Sequence, residues 1–175
     1  GVDLWAVHDG YGGPAALQRF VDACHARGLG VALDVVHNHF GASGNYLARF
    51  GPYFTLAHHT PWGPAVNLDQ EGCGPVRQFL VESTLRWFRD FHVDALRLDA
   101  VHELKDDSQP HYLAELSDAV AALSASLGRP LDLAGLVGHH VVVVLLARQL
   151  DGGVALAELE FVGGLRRARP EAPEQ

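Results

Sequence analysis

Two short stretches concentrate the groups that could do chemistry. "DALRLDAVH", Asp94 to His102, places Arg97 and Asp99 two residues apart on an apolar run. Along a strand alternate side chains share a face, so the arginine and the carboxylate point one way while Leu96 and Leu98 point the other. "LDVVHNHFG", Leu33 to Gly41, puts Asp34 late in a second apolar run. In parallel α/β folds the catalytic groups gather at the carboxyl ends of strands. Asp34, Arg97 and Asp99 are therefore expected to converge from two neighbouring strands. An arginine between two carboxylates favours their ionised forms, and an ionised carboxylate serves as a nucleophile or a charge stabiliser. A plain ion pair that fixes strand register has the same composition, and residue types alone do not separate the two.

The triplet His37-Asn38-His39 allows three readings. It is a polar loop bonded to its own backbone, a metal site with His58 and His59 downstream, or a substrate contact at a strand end. Zinc needs a third and fourth ligand at a recognisable spacing. None converges on these histidines in the sequence, so no metal is expected. The acidic balance, a formal charge of -8, also argues against a nuclease or other nucleic-acid partner. Further on, Tyr46, Phe50, Tyr53, Phe54 and Trp62 alternate with polar groups. Flat aromatic faces with polar rims suit sugar rings, and a small satellite core under a long loop has the same composition.

The elements that must position these groups alternate. "GGPAALQRFVDACHARG" reads as a helix, with Pro14 in its first turn, Gly28 past its end, and Leu17, Phe20, Val21 and Cys24 on one face. "LGVALDVV" follows as a short apolar run, the pattern of a strand buried on both faces. Residues 37–74 show no clean periodicity, and so long a connection usually carries function. "VRQFLVESTLRWFRDF" is helical, with Val76, Phe79, Leu80, Ser83 and Trp87 on one face. "VDALRLDAV" is the next strand. Pro110 opens a third helix, with Leu113, Leu116, Val120, Leu123 and Leu127 on one face and Gly128 closing it. "RPLDL" begins another strand. The sum is an α/β protein with a parallel sheet.

The 175 residues suffice for one domain with a real core. Cys24 and Cys73 form no disulfide framework, which points to free thiols in a reducing, cytoplasmic compartment. No leader pattern is evident, and the longest apolar run, "VVVVLLA", is too short to cross a bilayer.

"DVVHNHFG" and "DALRLDAVH" resemble two signature regions of the α-amylase superfamily of glycoside hydrolases. The connecting text, "YGGP", "HARGLGV", "GNYL", "PYFT" and "HTPWG", is similar to the subgroup that releases trehalose from maltooligosyl trehalose. The resemblance runs from about Gly1 to Leu133. It implies part of a (β/α)8 barrel, about strands 2 to 5, with a long insertion, residues 40–74, after the third strand. It implies a retaining mechanism with two carboxyl groups about 5–5.5 Å apart. By the same resemblance Asp99 is the nucleophile, Arg97 orients it, and Asp34 braces Arg97. His39, His102 and Glu103 contact the sugar, and Asn38 either binds calcium or fixes the insertion loop; Tyr46 and Trp62 join them as substrate-binding candidates from the aromatic loop. The partner implied is an α-glucan or maltooligosyl trehalose, with no nucleic acid and no membrane.

The resemblance stops after Leu133. The superfamily's general acid is a glutamate at the end of the fifth strand, but "AGLVGHHVVVV" stands there, and Glu158 and Glu160 come some two dozen residues late. Residues 134–175 are expected to be a divergent tail, either frame-shifted or disordered at its end. Little or no hydrolysis is expected from this chain alone. The alternatives are a non-catalytic, degenerate piece that binds α-glucan, and a related debranching or branching enzyme.

Overall fold

The computed structural model describes residues 4–41 and 43–135. Three helices and five strands follow one another: α1 (Gly13–His25), β1 (Ala32–Val35), β2 (Phe54–Thr60), β3 (Gly63–Val66), α2 (Cys73–Phe91), β4 (Ala95–Leu98), α3 (Tyr112–Leu127) and β5 (Asp132–Gly135). β1, β4 and β5 form one parallel sheet in that order, with Ala32 opposite Ala95 and Ala95 opposite Asp132. Parallel neighbours need a crossover. α2 supplies it between β1 and β4, and α3 supplies it between β4 and β5. This is a run of consecutive units from a (β/α)8 barrel.

The helix limits follow from local chemistry. Pro14 presets the first turn of α1. Gly12, just before it, sits at φ 85° with Ala16 Cβ only 2.7 Å from where its own Cβ would stand. His111 caps α3 by accepting from Leu113 N at 3.1 Å, and Gly128 ends it in the left-handed conformation. α2 is buried along Val76, Leu80, Ser83, Thr84, Trp87, Phe88 and Phe91. These meet Leu96 of β4, Leu116 and Val120 of α3, and Val21 of α1 in a single core. Ser83 Oγ and Trp87 Nε1 both donate to Leu4 O, at 2.6 and 3.1 Å, which seats the leading segment on α2.

Three expectations need correction. β1 is not buried on both faces: Ala32 and Asp34 are exposed and only Val35 is buried. Among the described residues β1 pairs on the β4 side alone, so its sheet edge is open. The apolar face of α1 is narrower than its spacing predicts, since Val21 is fully buried while Phe20 is 57% exposed. The 37–74 connection is not without regular structure, because β2 and β3 form an antiparallel hairpin within it. Phe54 pairs with Val66 and His59 with Pro64, and the register shifts between Phe54 and His59. A bulge of that kind breaks the period-2 alternation by which a strand is recognised. The expected divergent tail lies, past Gly135, outside the described residues. No helix among the described residues is long and apolar enough to cross a membrane.

Candidate active site

The register of β1 against β4 sets Asp34 directly opposite Arg97. Arg97 Nη1 donates to Asp34 Oδ2, and Arg97 Nη2 donates to Asp99 Oδ1 at 3.1 Å. The three side chains expected to converge do so, at the carboxyl ends of adjacent parallel strands. They are partly open to solvent, at 55% for Asp34, 29% for Arg97 and 41% for Asp99. The guanidinium leaves one oxygen of Asp99 unengaged by it. A carboxylate oriented through one oxygen with the other free is arranged for attack on an electrophile.

The turn that aims Asp99 is strained. Asp99 N is tied to Val35 O at 2.9 Å, which continues the strand ladder one residue further. Ala100 then adopts φ 46°, a left-handed conformation that is uncommon without glycine. Asn38 holds this turn. Its buried amide Nδ2 donates to Asp99 O at 2.9 Å and to Ala100 O at 3.1 Å, and its Oδ1 faces His39 Nδ1. A calcium ion takes about six to eight oxygen ligands. The Asn38 oxygen is turned to an imidazole and its nitrogen to two carbonyls, so this side chain does not fit calcium, and what it fixes is the Asp99–Ala100 turn rather than the insertion loop. Asn38→Ala is expected to leave Asp99 O without this donor, and Ala100 O with Glu103 N alone, and to cost about 1–3 kcal/mol. Urea denaturation measures it, and a midpoint unchanged from wild type would remove Asn38 from this role.

The triplet that allowed three readings divides its work. His37 is buried, and its Nδ1 meets the Tyr112 hydroxyl at 3.1 Å. Burial lowers the His37 pKa to about 4, so the ring is neutral and the hydroxyl donates to it. Asn38 holds the Asp99–Ala100 turn. His39 faces outward and stacks on Trp62, with ring centroids 4.8 Å apart and planes 20° from parallel. Burial lowers the His39 pKa, while the Asp99 carboxylate pulls it up.

The remaining expected residues lie around this centre. His102 and Glu103 occupy a short helical turn, Val101–Glu103, immediately after Ala100. Glu103 is 3.2 Å from Lys105 and 3.6 Å from His102. Trp62 sits at the tip of the β2–β3 hairpin. Tyr46 is exposed on the insertion, with the Arg49 guanidinium 5.5 Å from its ring centre. No described contact joins it to the triad. Tyr53 and Phe54 pack edge-on against Phe40, so the aromatic loop is partly a satellite core and partly an exposed aromatic surface. Sequence reasoning missed two partners that complete this region, Tyr112 beneath His37 and Asp69 beside His58. Neither carries a local signal: Tyr112 lies 75 residues from His37, and Asp69 reaches His58 only once the β2–β3 hairpin has folded.

No family model matches the chain. Among solved structures it is similar to a Salmonella typhimurium protein described as an alpha amylase, 38% identical with a TM-score of 0.69, over 75% of this chain and 22% of that one. With its parallel strands and its carboxylate–arginine–carboxylate cluster at their carboxyl ends, the chain is similar to the corresponding part of α-amylase superfamily enzymes. Within that superfamily it is similar to the malto-oligosyltrehalose trehalohydrolases. It is 56% identical to that of Rhizobium sp. over 133 residues, 76% of this chain and 22% of the relative. It is 47% identical to that of Saccharolobus solfataricus over 120 residues, 69% of this chain and 21% of the relative. The chain thus spans about a fifth of the length of the curated relatives it matches.

Proposed function

We propose that this chain is part of a retaining α-glucan hydrolase that releases trehalose from maltooligosyl trehalose, with Asp99 as its nucleophile. The observation that carries the reading is Arg97 bridging Asp34 and Asp99 across two adjacent parallel strands. In the proposed step the free oxygen of Asp99 attacks the anomeric carbon. The bond to the leaving oxygen breaks, and a carboxyl group protonates that oxygen. Water then hydrolyses the glycosyl ester. Arg97 orients Asp99, Asp34 braces Arg97, and His39, Trp62, His102 and Glu103 contact the sugar, with Tyr46 further out on the insertion. No cofactor enters this chemistry. Two unpaired cysteines, Cys24 and Cys73, support a reducing cytoplasmic location.

The chain alone is proposed to be inactive. After Leu133 no carboxyl residue stands at the place of the acid, and loss of general acid catalysis costs about 10²- to 10⁴-fold. Purified chain incubated with maltooligosyl trehalose should release no trehalose above the buffer rate. Clear release would overturn the inactivity. Any hydrolysis that is detected should vanish in Asp99→Asn, while glucan binding stays within about twofold, since the carboxamide keeps the shape and loses only the nucleophile. Retained hydrolysis in Asp99→Asn would remove Asp99 from the nucleophile role. The exposed aromatics favour a second reading, a non-catalytic α-glucan binder. That reading predicts measurable binding, lost in Trp62→Ala, with no hydrolysis under any condition.

A further inference from the structure

We propose that His58, Asp69 and Asp107 form a site for a divalent transition metal ion, zinc by its chemistry, which clamps the insertion hairpin to the loop that follows β4. The three residues come from separate segments. His58 lies on β2, Asp69 follows β3, and Asp107 lies between the 101–103 turn and α3. Their donor atoms, one imidazole nitrogen and two carboxylate oxygens, all lie within 4.8 Å of one another. His58 Nε2 stands 2.8 Å from Asp69 Oδ2 and 3.7 Å from Asp107 Oδ2. Tetrahedral zinc with bonds of about 2.0–2.1 Å holds its ligands about 3.3–3.5 Å apart. To take the ion the His58–Asp69 pair opens by about 0.5–0.7 Å and the His58–Asp107 pair closes by about 0.2–0.4 Å.

The chemistry of the set is specific. One imidazole with two carboxylates is a borderline donor set that suits zinc and its neighbours better than calcium or magnesium. Asp69 is already oriented as a ligand. Its side chain is 3% exposed, its Oδ2 accepts from Asp107 N at 2.9 Å, and its Oδ1 accepts from Gln70 Nε2 at 2.8 Å. Such supporting bonds fix a ligand before the ion arrives. Among the described residues no lysine or arginine lies within 4.0 Å of either carboxylate, so two negative charges meet at one imidazole with no fixed cation between them. Asp107 is 85% exposed, which leaves the fourth coordination position to water.

The site would act on the segments that flank the triad. The hairpin held by His58 ends in Trp62, which stacks on His39, and the loop held by Asp107 follows His102 and Glu103. The ion would join these two segments through side chains other than those of the triad. The proposal does not depend on the hydrolase reading.

The test is a calorimetric titration of zinc into the chelator-stripped full chain, repeated on His58→Gln and Asp107→Asn. One saturable equivalent is expected, with a raised melting temperature. Cobalt(II) in its place should give the visible bands of a tetrahedral nitrogen–oxygen site. Each variant should weaken binding by about tenfold or more. Asp107 is exposed and makes no other side-chain contact in the described residues, so Asp107→Asn should keep a wild-type circular dichroism spectrum. It decides the matter even if His58→Gln unfolds. Absence of saturable binding overturns the proposal. So does equal affinity in Asp107→Asn, since the ion is then held by other histidines among the 11 in the chain.

Discussion

Arg77→Ala should destabilise the folded chain by about 3–5 kcal/mol. Arg77 rises from α2 into a nearly closed space, and all three of its nitrogens are engaged. Nε donates to Glu115 Oε2 at 2.7 Å, and Nη2 donates to Pro110 O at 2.9 Å. Nη1 reaches Leu68 O at 3.0 Å, Ser108 Oγ at 2.6 Å and Asp106 Oδ2 at 3.2 Å. One guanidinium thus joins the end of the insertion, the loop after β4 and the start of α3. The side chain of Asp106 is 0% exposed. Burial pushes its pKa up, but hydrogen bonds from Ser108 and Tyr112 N together with Arg77 more than offset this, and the carboxyl stays below its usual range. Removing the arginine takes the guanidinium from that ionised carboxylate and leaves it to Ser108 and Tyr112 N. Breaking a buried pair from one side costs about 3–5 kcal/mol, against a total of about 5–15 kcal/mol for a domain. Tryptophan fluorescence in urea reads the loss, and a midpoint within error of wild type would falsify the hub assignment. Arg77→Lys should recover only part of the stability, because an ammonium does not reproduce the planar fork.

The second large effect is acid lability between pH 6.5 and 4, centred on His37. The folded pKa is depressed to about 4 from 6.5 by burial, so the folded state resists the proton that the unfolded chain accepts. Stability is complete above pH 6.5, declines as pH falls toward 4, and levels off for this group below that. The gap is worth about 3 kcal/mol. His39, also depressed, loses stability in the same direction. Asp69 and Asp106 have pKa values lowered below 3.8, so their contribution is lost only at still lower pH. His37→Asn keeps an acceptor for Tyr112 without a titrating ring and should flatten most of the slope. Urea midpoints at half-unit pH steps decide it, and an equal slope in His37→Asn would assign the lability elsewhere.

Much of this was legible because it is local. β4 was written in "ALRL", where the alternation of leucine with arginine survives burial. α2 and α3 were written in their apolar spacing and in Pro110 and Gly128. The triad was legible because two strand ends in a parallel sheet leave few places for Arg97 and Asp99 to go. The hairpin was not legible, since its bulge cancels the alternation and Pro61, Gly63 and Pro64 mimic a loop. The openness of β1 was not legible either, because an apolar strand has the same composition at an edge as at a centre. His58 with Asp69 and Asp107, and His37 with Tyr112, were invisible for a deeper reason. Each pairs residues whose neighbourhood exists only after folding.

That last property reaches the triad itself. Arg97 meets Asp34 across 63 residues of chain, Asn38 meets the carbonyl of Asp99 across 61, and His37 meets Tyr112 across 75. The contacts that join the two strands at this end of the sheet are long loop closures, and such closures set the pace of folding. No isolated hairpin or helix of this chain can present a partial version of the centre. The ion pair at the strand ends is therefore also a topological seal, complete only when β1 and β4 are already in register, so the chemistry and the native topology arrive in a single event.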